Sequence, residues 1–157
     1  MKKTLLLLPA LMLAGCQMLN YQEPGGEDTA TVVFTGNEAA QPVVCVAGRG
    51  FKDTRTSVAV KPWDTNAFNE LFKTMRKAEQ VPVAVAADGQ TRIGVVYNER
   101  DSNMRRNHCR VAVQFNAQAG ASYFAHFTRN EAGQCGLEVR GEDGVQADAV
   151  PVGWDCP

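Results

Sequence analysis

The sequence predicts a mainly β domain, a β-sandwich tied by two disulfides and carrying one inserted amphipathic helix. Three observations predict it. Short runs rich in Val, Thr and aromatic residues recur with turn signals between them, the spacing of an all-β chain. Four cysteines, Cys45, Cys109, Cys135 and Cys156, lie in or at the ends of those runs. One stretch alone, 64–79, keeps a helical period instead of an alternating one.

The candidate strands are 31–35, 43–47, 57–61, 82–87, 91–98, 108–116, 122–129, 134–140 and 150–154. Between the third and fourth, Phe68, Leu71, Phe72 and Met75 fall at i, i+3, i+4 and i+7, an apolar stripe expected to pack on a sheet. The competing use of that stripe is a membrane-surface helix, with Lys73, Arg76 and Lys77 meeting anionic headgroups. Asp64 or Thr65 caps its start, the three cations suit its C-terminal end, and Pro82 stops it. Asp88-Gly89 predicts a tight type I′ hairpin between 82–87 and 91–98, because Gly supplies the positive φ such a turn demands. Asp143-Gly144 is a second turn signal. The clearest strand is 108–116, where Cys109, Val111, Val113 and Phe115 point inward and His108, Arg110, Ala112 and Gln114 outward. The same alternation around the other cysteines turns each thiol inward.

The N-terminus has a different logic. Lys2 and Lys3 precede an apolar run too short to span a bilayer, ending in Leu13-Ala14-Gly15-Cys16, the layout of a signal peptide over 1–15. Leu13-Ala14-Gly15-Cys16 resembles the lipobox of bacterial lipoproteins, a resemblance that covers residues 1–16. It implies that the Cys16 thiol is diacylated, the chain is cut before it and the new amine is acylated. More than one chain such as palmitate then anchors the protein stably to a membrane. Gln17, where an Asp implies inner-membrane retention, implies the outer membrane by the same resemblance. Residues 16–28 are periodless, with Pro24, Gly25 and Gly26, and read as the lipidated Cys and a flexible tether. A single domain follows over 29–157. Its expected architecture is similar to that of small outer-membrane lipoproteins with transthyretin-like sandwiches, including a subunit of type VI secretion machines. That analogy carries over no residue.

The mature chain keeps 14 of the 16 basic side chains and all 17 acidic ones, so its formal charge is 14 − 17 = −3. With export, that balance argues against a nucleic-acid partner. With Cys16 acylated, four cysteines remain, and an even count in an exported chain implies two disulfides. Three connectivities are open, and the preferred one joins Cys45 to Cys109 and Cys135 to Cys156. A metal site at His108 and Cys109 fails because strand neighbours face opposite sides, and no C-x-x-C is present.

Catalytic signatures are missing. There is no G-x-S-x-G, no H-E-x-x-H and no phosphate-cradling glycine loop. His126, within Tyr123-Phe124-Ala125-His126-Phe127, reads as a partly buried strand residue making one hydrogen bond, and Glu142-Asp143 as solvated turn acids. The expectation is a non-enzyme without a cofactor.

Two polar stretches, 48–56 and 98–107, carry Arg49, Lys52, Arg55, Arg100, Arg105 and Arg106 against Asp53, Glu99 and Asp101, a sum of 6 − 3 = +3. Phe51 and Met104 add apolar groups, and Arg beside aromatic or Met side chains is an interface composition. A Cys45–Cys109 bond would set the two stretches side by side. The expected function is therefore that of an outer-membrane lipoprotein facing the periplasm. It would bind a protein with an acidic surface, as an accessory or assembly factor of an envelope or secretion complex. The rivals are an immunity or inhibitor lipoprotein against a periplasmic toxin or lytic hydrolase, an envelope hydrolase, and a peptidoglycan-binding protein.

Overall fold

The computed structural model describes residues 20–36, 39–54, 80–100 and 106–157. The predicted signal peptide and Cys16, the strand at 57–61 and the helix at 64–79 lie outside the described residues. The rest is mainly β, with nine strands among the described residues: β1 Thr29–Thr35, β2 Ala40–Val46, β3 Gly50–Asp53, β4 Gln80–Ala86, β5 Gln90–Arg100, β6 Arg106–Asn116, β7 Ser122–Arg129, β8 Cys135–Gly141 and β9 Val150–Pro151. They form a four-stranded sheet, β4-β1-β7-β8, and a five-stranded sheet, β3-β2-β5-β6-β9. β1 pairs antiparallel with β4 and parallel with β7; every other pair is antiparallel.

Alternation puts one apolar row of each strand into a shared core. Val32, Phe34, Val83, Val85, Ala125, Phe127 and Val139 come from the first sheet; Val44, Ile93, Val95, Tyr97, Val113 and Phe115 come from the second. Aromatic contacts cross between the sheets, Tyr97 with Phe127 at 5.7 Å and Phe115 with Tyr123 at 5.0 Å. Burying rows of this kind is the main favourable contribution to folding.

Asp88-Gly89 does not close a hairpin. β4 and β5 belong to different sheets, so the dipeptide carries the chain from one sheet to the other, and Gly89 is not among the glycines with positive φ. The second signal holds, since Gly144 has φ 78° and its N–H donates to the Gly141 carbonyl at 2.9 Å. β3 lies inside 48–56, read from sequence as a loop.

The fold also reaches back into the stretch expected as tether. Asn20 pairs with Asp53 in a parallel bridge. Tyr21 is buried in the core cluster, donates its N–H to the Asp53 carbonyl (2.8 Å), and donates its hydroxyl to the Ala84 carbonyl (3.0 Å). The described fold therefore extends N-terminal of the expected start at Thr29, at least as far as Asn20. Aromatic burial, which no periodicity announces, recruits the segment.

Burial first, and then Glu23, push the Tyr21 phenol from 10 up to about 12. Folding favours its neutral form, so its contribution is whole below pH 10 and is lost as pH rises from 10 through 12. Thermal melts across that window should show wild type losing more stability than Tyr21→Phe. Equal losses would rule Tyr21 out as the source.

Candidate docking surface

The five-stranded sheet has a second covered face. On its outer side Val43, Gly94 and Ala112 form one row across β2, β5 and β6. Val43 and Ala112 are buried there, outside the main core cluster. Over Ala112 and Gly94 lies the C-terminal strap. After β9 the Val152 N–H donates to the Ala112 carbonyl at 3.0 Å, and the chain then crosses the sheet. The Trp154 ring stacks on Phe51 at 4.3 Å, lies 5.3 Å from the Arg110 guanidinium and rests on Gly94. A Cβ on Gly94 would stand 3.2 Å from that ring and 2.8 Å from the Val111 carbonyl oxygen, so only glycine fits this close approach. Arg92 donates to Gln114 (2.6 Å) and to the Asp155 carbonyl (2.9 Å), and pairs with the Asp155 carboxylate (3.3 Å).

The strap ends in a disulfide, Cys45–Cys156; the other joins Cys109 to Cys135. The expected connectivity, Cys45 with Cys109 and Cys135 with Cys156, is corrected on both counts. Val44 and Val46 point into the core, so Cys45 points out, toward the strap. Cys109 and Cys135 pack against the core and link β6 of one sheet to β8 of the other. Cys45 lies one position beyond the Val44–Ile93 pair, whereas Cys109 pairs with Tyr97. That is five residues along β5, about 16 Å, and on the opposite face.

The expected side-by-side placement of the two basic stretches falls with that bond. The β2–β3 turn carrying Arg49 lies at the Gln90 end of β5. Arg100 and Arg106 pair across the far end of the β5–β6 hairpin, about 33 Å along the strand. Arg49 is exposed. Lys52 is half-buried, and Phe51 is engaged by Trp154 instead of standing free as an anchor. Arg55, Met104 and Arg105 lie outside the described residues.

The histidines sit on opposite outer faces. His108 is exposed on β6, paired with Asn98. His126 is exposed on β7 rather than partly buried, with its Nδ1 3.0 Å from the Thr35 hydroxyl. Among the described residues no group of three His, Cys, Asp or Glu side chains is placed to share a metal ion. Tyr97 is raised above its ordinary phenol range by burial, then by its hydrogen bond to Glu99 and that carboxylate's charge, with Arg129 opposing. It is a core residue, 1% exposed.

The outer face of the four-stranded sheet differs from all of these. Its middle row runs Pro82, Val33, Phe124, Arg140 across β4, β1, β7 and β8, and the next row runs Gln80, Thr35, His126, Glu138. Phe124 is 40% exposed at the centre, and Arg140 and Glu138 close the rim as an ion pair at 2.6 Å. An apolar centre inside a polar rim is the anatomy of a protein interface. Sequence reasoning passed over this face. Its signal was one of parity, since Tyr123, Ala125 and Phe127 turn inward and leave Phe124, a large aromatic, on the solvent side.

No family model, curated protein or solved structure matches the chain.

Proposed function

We propose that the protein is a lipid-anchored, non-enzymatic envelope protein, held through Cys16 in the outer membrane with its domain in the periplasm. It binds a protein partner as an accessory or assembly factor of an envelope or secretion complex. In this reading the two sheets are the leaves of a β-sandwich, and the binding surface is the Phe124 face, not the basic loops. The observation that supports it is the row Pro82, Val33, Phe124 on the outer sheet face, with Pro82 and Phe124 exposed and Val33 half-buried between them, rimmed by His126, Glu138 and Arg140. The fitting partner presents an aliphatic or aromatic anchor surrounded by polar groups.

Phe124→Glu tests it. Phe124 is outside the core, so unfolding free energy should change by only about 0.5 kcal/mol. Loss of a central anchor should cost about 2 kcal/mol of binding, roughly 30-fold in Kd. A photo-reactive residue at Val33 or His126 in living cells should capture the same envelope protein, and the adduct should vanish with Phe124→Glu. A soluble hydrolase or toxin at both positions would favour the immunity reading. An internal adduct to 55–79 would overturn the docking face.

A further inference from the structure

We propose that the domain rests on the bilayer by the edge where β3 and β4 lie side by side, with a phospholipid surface as the occupant of that edge. This rests on the acylation of Cys16 proposed above. β3 is the terminal strand of one sheet and β4 of the other, and Tyr21 bridges them, its N–H on Asp53 of β3 and its hydroxyl on Ala84 of β4. The chain reaches this edge at Asn20, fixed beside Asp53. From Cys16 to Asn20 is 20 − 16 = 4 peptide units, and an extended chain covers at most about 3.6 Å per unit, so Asn20 stays within about 14 Å of the acylated residue.

The headgroup layer takes up about 6 Å of that span. The remainder is small against a domain about 35 Å across. A tether running to Thr29 would reach about 45 Å and let the domain tumble; one that ends at Asn20 does not. The edge on the other side, at β8 and β9, is held away from the lipid, and the Phe124 face is left to the side, open to its partner.

Among the described residues, the side chains along the edge include Asn20, Lys52, Asp53 and Gln80, polar with both signs present, so these residues alone do not form a polybasic surface.

The test uses the full acylated protein in phosphatidylcholine vesicles with and without phosphatidylglycerol. A benzophenone side chain replaces Asp53, Gln80 or, on the opposite edge, Val150, all exposed. Intact mass reports both the acyl chains and any lipid adduct. Lipid adducts at Asp53 and Gln80 should exceed those at Val150 several-fold in both vesicle types. A Gly-Ser spacer of about a dozen residues ahead of Asn20 should bring them down to the Val150 level, because the local lipid concentration falls as the tether lengthens. Equal labelling of both edges in acylated protein, or labelling indifferent to the spacer, overturns the orientation alone. Absence of acyl mass on Cys16 overturns the anchoring reading as well, and so is told apart.

Discussion

Cys45→Ala/Cys156→Ala should lower the unfolding free energy by about 4.7 kcal/mol, and Cys109→Ala/Cys135→Ala by about 3.5 kcal/mol. The ranking follows from what each bond encloses. The first pair is separated by 111 residues and the second by 26, and the entropy that a cross-link removes from the unfolded chain grows with the logarithm of the loop. The first bond also holds the strap against the sheet, where Trp154 covers Gly94 and Asp155 meets Arg92. Guanidinium unfolding of the two double variants against wild type measures the difference. A larger loss from the 109–135 pair would mean that the link between the sheets matters through packing more than through chain entropy.

Tyr21→Ala should cost about 3 to 5 kcal/mol, the loss seen when a buried aromatic is truncated in a core. The ring is 7% exposed and fills the gap between the edges of two sheets. Tyr21→Phe keeps the ring and loses the bond to the Ala84 carbonyl, about 1 kcal/mol. Deleting 16–28 should therefore destabilise the domain as Tyr21→Ala does, whereas a free tether could be removed at no cost. Thermal unfolding of the three variants separates the cases, and a deletion that melts like wild type would return Tyr21 to the tether.

Strands were legible where the period was clean. β7 begins and ends at Ser122 and Arg129 as its alternation requires, and the inward row of β6, Val113 and Phe115 with Cys109, lies against the core. What alternation does not carry is the identity of the neighbour. Ala112 sits on the outward row and is nonetheless buried, because a strap from the far end of the chain lies over it. Asp88-Gly89 has the composition of a hairpin, but whether the flanking strands pair depends on which sheet each joins, and that is settled by contacts remote in sequence. β3 was hidden by Gly48, Gly50 and three charges within a few residues; it exists because β2 offers it an edge. Cys45 was misread through an unfixed register, since one position decides which face a thiol occupies. The candidate surface was missed for a related reason. Charge carries the stronger compositional signal in this sequence, while the exposed aromatic shows only as a break in parity.

The two disulfides are nested, one wholly inside the span of the other. A chain delivered N-terminus first presents Cys45, then Cys109, then Cys135, and oxidation in order of arrival joins Cys45 to Cys109. That bond must afterwards be attacked by another thiolate before the native pairs can form, a step of minutes to hours without help. Under oxidation in that order the native pairs are reached only through an isomerisation step, so a disulfide isomerase should speed the refolding of the reduced chain over an oxidant alone.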